Sequence, residues 1–286
     1  MARRNTYELR GKNFRLSFGE KTRIMGILNV TPDSFSDGGL FFQRERAIAQ
    51  GAALAAQGAD LLDIGGESTR PFSDSITIEE EIQRIIPVIR ELVKKISIPI
   101  SVDTYKAEVA KAALDAGAVV VNDITALGFD PELAKVIAEY RAPVILMHMQ
   151  GTPKDMQFNP KYNHLLKDIH QFFVEHIALA VGRGIPRENI LLDPGIGFGK
   201  TFSQNLTLIK RINYFQDLDL PIVLGTSRKA FIGKITDQEA VNRDWGTAAT
   251  LAIGAWRGAN MVRVHNVAAA KQVLAVVDAL KEAAEE

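Results

Sequence analysis

The sequence predicts an α/β protein built as a single (β/α)8 barrel, and three observations carry the prediction. Short apolar runs alternate with longer amphipathic stretches along all 286 residues. Each short run is nearly continuous in its hydrophobicity, as strands covered on both faces are. Eight such units can be counted, and regular βα alternation of that number closes a parallel sheet on itself. A doubly wound open sheet is the rival architecture, but it normally has fewer strands and a glycine-rich first turn.

In chain order, residues 1–20 read as an N-terminal extension or hairpin beneath the barrel, and 21–286 as the barrel itself. Strands are predicted at 23–30, 60–64, 98–102, 119–122, 144–147, 190–193, 222–224 and 261–264. Amphipathic patterns between them include 77–95, 106–116, 162–183 and 267–283. A weak repeat marks the helix-to-strand junctions: Gly58-Ala59, Gly117-Ala118 and Gly258-Ala259 each end a helix and open a strand. Pro99, Pro143 and Pro221 enter three other strands. No linker or low-complexity segment divides the chain.

Composition narrows the function. With 34 basic and 34 acidic residues the net charge is zero, so electrostatic docking to nucleic acid or a membrane surface is not expected. An anionic ligand must instead be gripped by a few placed side chains. There is no cysteine, which excludes disulfides, thiolate nucleophiles and Cys-ligated zinc. The basic N-terminus lacks a following apolar run, and no stretch reaches the ~18 apolar residues of a membrane span. A cytoplasmic enzyme is expected.

In such barrels chemistry sits at the C-terminal ends of the strands. Those ends are polar here: Asn29, Asp63 with Glu67, Asp103, Asn122-Asp123, His148, Asp193, Ser227-Arg228-Lys229, and Arg263 with His265. Any one of them can simply terminate a strand, but together they describe a receptor for a polar ring and an anion. Two Gly-, Pro- and Ser-rich connections flank the expected mouth, at 31–39 and 65–71, and read as loops able to close. The run Gly195-Ile196-Gly197-Phe198-Gly199-Lys200-Thr201 imitates a phosphate loop. It fails the pattern, because Pro194 stands where the first glycine belongs. His164, His170 and His176 are spaced six apart on one helical pattern, share no face, and read as surface or packing residues.

At this point the motifs carry a family resemblance. Ile27-Leu28-Asn29-Val30-Thr31-Pro32-Asp33-Ser34-Phe35-Ser36-Asp37-Gly38-Gly39 resembles the first signature of dihydropteroate synthases, and Asp63-Ile64-Gly65-Gly66-Glu67-Ser68-Thr69-Arg70-Pro71 the second. Ser101-Val102-Asp103-Thr104, Val121-Asn122-Asp123-Ile124, Asp193-Pro194-Gly195-Ile196-Gly197-Phe198, Ser227-Arg228-Lys229 and Arg263-Val264-His265 follow in the family's order. The resemblance runs from about residue 20 to the end of the chain. It implies a TIM barrel that condenses 6-hydroxymethyl-7,8-dihydropterin diphosphate with 4-aminobenzoate, releasing pyrophosphate, in folate synthesis.

The resemblance also implies residue roles. Asp103, Asn122, Ile124, Met147, Asp193, Phe198, Gly225, Lys229 and Arg263 would line the pterin pocket. Asp193 would accept the pterin's amide and amino protons, Lys229 would donate to the ring oxygen and nitrogen, and Arg263 would stack on the ring while touching phosphate. Asn29, Thr69, Arg263 and His265 would hold the diphosphate, with Mg²⁺ on the Asn29 amide oxygen. Phe35, Ser68, Thr69, Arg70, Pro71 and Lys229 would frame 4-aminobenzoate. Asp33 and Asp103, with Lys229 and Arg263, would serve the chemistry, an SN1-like substitution without a covalent enzyme intermediate. The Ala-rich last helix suits a homodimer. A methyltetrahydrofolate-dependent methyltransferase shares the pterin-binding barrel but does not need the two loop signatures. A non-catalytic pterin binder should have lost Asn29, Asp33 or Arg263, and a phosphosugar isomerase would show an acid/base pair.

Overall fold

The eight apolar runs pair in the way their covered faces require. In a computed structural model, which describes residues 6–11, 14–31, 40–68 and 73–283, the barrel strands are β3 (Arg23–Asn29), β4 (Leu61–Gly65), β5 (Ile100–Asp103), β6 (Val120–Asp123), β7 (Val144–Met147), β8 (Ile190–Asp193), β9 (Val223–Leu224) and β10 (Met261–Val264). All neighbours are parallel, in the order β8-β7-β6-β5-β4-β3-β10-β9. A single parallel bridge, Leu192 to Ile222, brings the two outer strands together and closes the ring. Before it lies an antiparallel hairpin of β1 (Tyr7–Gly11) and β2 (Phe14–Phe18).

The predicted strands stand with ends moved by one or two residues; β4, β5 and β6 each end one residue later than expected. β4 begins one residue late, because Asp60 is occupied as an entry clamp. Its carboxylate accepts the Ile24 amide at 2.9 Å and pairs with Arg23 and Lys21. β5 begins at Ile100, after a bend, and β9 is two residues long. Pro99, Pro143 and Pro221 each stand just before a strand. They lack an N–H to give, but their carbonyls accept the amides of Leu62, Val121 and Leu192 on the neighbouring strand.

The helices that follow the strands include α1 (Leu40–Gln57), α2 (Ile78–Lys95), α3 (Ala107–Asp115), α4 (Leu133–Tyr140), α5 (Leu165–Gly182), α6 (Phe202–Lys210), α7 (Ala230–Thr236), α8 (Asp244–Trp256) and α9 (Val267–Glu282). Thr77 caps α2 by accepting the Glu80 amide. The three Gly-Ala junctions share one geometry: Gly58, Gly117 and Gly258 have φ of +105°, +112° and +110°. In each, the glycine and alanine amides turn back onto carbonyls of the last helical turn. Gly184-Ile185 and Arg141-Ala142 repeat that bonding after α5 and α4. Arg141 does so at φ +50°, a place where sequence inspection looks for glycine.

The core has two layers. Outward-facing strand residues such as Leu28, Leu62, Ile64, Val102, Val121, Leu146, Leu192 and Val264 pack under the helices. Inside the ring, Met25, Leu61, Val120, Ile145, Leu191, Val223 and Met261 form a plug, which Leu9, Leu16 and Phe18 of the hairpin cover from below. The Arg10 backbone and the Asn189 side-chain amide exchange hydrogen bonds of 3.0 and 2.8 Å, which tie the hairpin to the start of β8. The N-terminal hairpin thus seals the floor of the barrel.

Candidate active site

Strand side chains alternate, so the next inward position above that plug lies two residues further along each strand. Stepping up from Leu61, Val120, Ile145, Leu191, Val223 and Met261 gives Asp63, Asn122, Met147, Asp193, Gly225 and Arg263. From Ser101 on β5 the same step gives Asp103. The strand register sets Asp103 opposite Asn122, and Met147 opposite Asp193. A hydrophobic layer is therefore followed at once by a polar one, at the C-terminal mouth of the barrel.

Arg263 organises that layer. Its Nε donates to Asp63 Oδ2 and its Nη2 to Asp103 Oδ2, each at 2.6 Å. The Asn122 amide donates to the same Asp63 oxygen at 3.1 Å. Asp63 is fully buried, with its Oδ1 lacking a partner among the described residues. Burial opposes the Arg263 charge, but Asp63 and Asp103 outweigh it and hold its pKa above the usual value. Asp103 itself is pushed up to about 7, by burial first and then, against the pull of Arg263, by the neighbouring Asp63 charge.

Two further groups complete the layer. Asp193 accepts the Gly195 amide at 2.7 Å, and burial raises its pKa although Lys229, Arg263 and Lys200 act the other way. Lys229 sits with its ammonium 4.1 Å from the centre of the Phe198 ring. Burial, then the nearby Arg263 charge, lowers its pKa to about 8. Arg228 at φ +57° makes the turn that delivers Lys229 to the mouth, and is itself tied down by Asp244 at 2.8 Å. Gly225 leaves the floor open: a Cβ there would stand 3.7 Å from Asp193 Oδ2. Ile124, Met147 and Phe198 join Tyr105 and Met156 in an apolar cluster that forms one wall.

The site thus sets an acceptor carboxylate, an ammonium and a guanidinium on one level, beside an apolar wall. That constellation fits a polar bicyclic ring. The profile of the family described as "Pterin binding enzyme" matches residues 25–265. A dihydropteroate synthase of Synechocystis is 48% identical over 264 residues, covering 92% of this chain and 91% of that protein. One from Bacillus subtilis is 43% identical over 275 residues, covering 96% and 94%. A crystal structure of Xanthomonas albilineans dihydropteroate synthase with 4-aminobenzoic acid superposes with a TM-score of 0.92 at 43% identity, covering 98% of this chain and all of that one. The chain belongs to the pterin-binding enzymes, among the dihydropteroate synthases. Its activity is the transferase step of folate biosynthesis that joins a dihydropterin to 4-aminobenzoate.

For a dihydropteroate synthase, the residues expected in the pterin pocket fall where the fold brings side chains together. Asn29 lies one inward step above Ile27 on β3. His265 lies one above Arg263, its ring held by the Ser227 hydroxyl at 2.9 Å. Ser68 is described, its carbonyl accepting the Ser73 hydroxyl at 2.5 Å. Asp33, Phe35, Thr69, Arg70 and Pro71 lie outside the described residues.

Several polar strand ends do not join the site. Asp123 closes its own turn, accepting the amides of Thr125 and Leu127. Glu67 is drawn into a buried network by Lys106 and the Tyr105 hydroxyl, each at 2.6 Å. His148 bonds Lys200. His176 stacks on Phe172 and His170 pairs with Asp217, so both are packing or surface residues as expected. Asp63 is what sequence reading left out of the pocket. Its inward step from Leu61, the same as that of Asp193 from Leu191, was the available signal.

Proposed function

We propose that this dihydropteroate synthase works by an SN1-like substitution on the dihydropterin diphosphate. The observation that supports it is the buried carboxylate–guanidinium cluster of Asp63, Arg263 and Asp103 beside Lys229, which offers fixed negative charge to a cation developing on the pterin. Asp193 accepts the pterin's amide and amino protons, and Lys229 donates to its ring oxygen and nitrogen. Asn122, whose amide donates to Asp63 at 3.1 Å, joins Ile124, Met147 and Arg263 in lining the ring's pocket. The C–O bond of the exocyclic methylene breaks, and its electron pair leaves with pyrophosphate. Positive charge on the methylene spreads into the pterin ring, stabilised by Asp103 with Asp33. The 4-aminobenzoate nitrogen, already nucleophilic at neutral pH, forms the new C–N bond and releases one proton to solvent. Phe35, Ser68, Thr69, Arg70 and Pro71 frame that second substrate.

Asn29, Thr69, Arg263 and His265 hold the diphosphate in this reading. Asn29 presents a neutral amide oxygen at the end of β3, and the described residues hold no cluster of three His, Asp or Glu ligands. So sparse a donor set fits Mg²⁺, which usually completes its sphere with water and substrate phosphate. Bound there, the ion would neutralise charge on the leaving diphosphate.

The homodimer proposed for this chain draws support from exposed apolar side chains on two adjoining helices. Trp245, Ile253 and Trp256 on α8 are 89, 50 and 53% exposed, and Val276 and Leu280 on α9 are 62 and 56% exposed. A shared apolar face of this kind favours a partner over solvent. Sequence inspection pointed to α9 alone, whereas α8 carries the larger residues. A cytoplasmic site of action accords with the described helices, none of which is long and apolar enough to cross a membrane.

A pyrophosphate-release assay tests the proposal. Release should require both the pterin diphosphate and 4-aminobenzoate, and should stop in excess chelator and return with Mg²⁺. Full turnover in chelator would overturn the metal assignment alone; release independent of 4-aminobenzoate would overturn the reaction.

A further inference from the structure

We infer that Lys200 is a positioning residue for pterin recognition, which sets one wall of the pocket by joining the end of β7 to the loop after β8. The inference rests on the pterin reading of the pocket given above. Lys200 is only 2% exposed. Its ammonium donates to the Phe198 carbonyl at 2.8 Å, to His148 Nδ1 at 3.0 Å and to the His148 carbonyl at 3.2 Å. Burial lowers its pKa to about 7, and in the charged form its three protons match the three acceptors that converge on it. The bond to Nδ1 leaves the imidazole proton on Nε2, so His148 is neutral.

The rest of the loop is built around this cation. The carbonyls flanking that of Phe198 are also taken by side chains, Gly197 by Gln157 at 2.8 Å and Gly199 by the Tyr162 hydroxyl at 2.7 Å. Gly195 and Gly199 let the loop lie against 148–150. A Cβ at Gly195 would meet the His148 carbonyl oxygen at 2.0 Å, and one at Gly199 would meet the Gln150 oxygen at 2.4 Å. Two chain segments are thus pressed backbone to backbone, and their opposed carbonyls repel unless a cation lies between them.

What Lys200 fixes is the surface the pterin meets. Phe198, whose carbonyl it holds, supports Lys229 at 4.1 Å, and Gly197 lies under the Lys229 stem. Without Lys200 the loop can lift, carrying Phe198 and Lys229 away from Asp193. A displacement of ~1 Å at a binding group can cost about 10²-fold. Lys200 touches neither reacting atom, so its effect should appear in pterin affinity.

Lys200→Met keeps the stem and removes the three donors. Calorimetry should show the Kd for the pterin diphosphate rising at least about tenfold, more than any change in the KM for 4-aminobenzoate at saturating pterin, since Lys229 is only one of several residues that frame that second substrate. Phe215→Leu, in the fully buried core away from the mouth, serves as the control: it should lower Tm comparably and leave the pterin Kd unchanged. An unchanged Kd in folded Lys200→Met, or an equal rise in Phe215→Leu, would overturn the inference. Should Lys200→Met not fold, Tyr162→Phe decides by the same readout, since it frees one carbonyl of the same loop; an unaltered Kd there refutes the wall's dependence on these bonds. Failure of the wild-type protein to bind the pterin diphosphate would instead overturn the pterin reading itself.

Discussion

Arg263 is held by two carboxylates, but burial determines how the site responds to pH. Asp103 ionises near about 7, because burial opposes its charge, and Lys229 loses its proton near about 8 for the same physical reason with opposite sign. Below the first value Asp103 takes a proton and the negative charge facing the developing cation is lost. Above the second, Lys229 becomes neutral. The kcat/KM profile should therefore be a narrow bell with its maximum between the two, and a flat profile from pH 6 to 9 would refute this assignment of the active protonation state. Asp63→Asn removes the charge that anchors Arg263 Nε while preserving shape. It should cost ~1–3 kcal/mol in urea unfolding and at least about tenfold in kcat/KM, because Arg263 is then held from one side only. Equal activity in the variant would show that Asp103 alone orients the guanidinium.

At the scale of elements, the junctions matter most. Gly195 has φ +67° and the His148 carbonyl directly against it. Gly195→Ala must therefore both adopt a left-handed conformation, at ~1–2 kcal/mol, and push two strand ends apart. Its loss of stability should exceed that conformational cost, and pterin affinity should fall with it, as thermal unfolding and calorimetry will read. Gly184→Ala is the fitting comparison. It too has positive φ, but a Cβ there would find its nearest neighbour at 3.7 Å, so only the conformational cost should appear. Identical losses in the two variants would mean that close packing at β7–β8 contributes nothing.

For the whole molecule, the exposed tryptophans of α8 carry the consequence. Trp245→Glu with Trp256→Glu places charge on the face proposed to meet a second copy. Light scattering should report a dimer for the wild-type protein and a monomer for the variant, and Tm should lose its dependence on protein concentration. A double variant that remains dimeric would move the interface elsewhere. The barrel mouth lies at the strand ends, so residual activity in the monomer is the expected companion result.

Strand number, strand order along the chain and the polar strand ends were all legible in the sequence, because each follows from short-range periodicity. A strand buried on both faces must be apolar throughout, and a run such as Ile190–Asp193 ends where the first inward polar residue appears. The two loop signatures, by resemblance, carried the activity. Local pattern could not say which polar ends converge. Asp123 and Asp193 both end apolar strands, yet Asp123 turns back on its own amides while Asp193 faces Lys229. Nor could it distinguish Glu67, captured by Lys106, from Asp63, which anchors Arg263 from 200 residues away in the chain. Those outcomes depend on strand tilt, register and the closing bridge between Leu192 and Ile222, which bring distant carboxylates and cations within hydrogen-bond reach. Electrostatic pairing in a buried mouth is decided by that proximity, and proximity is a property of the closed barrel.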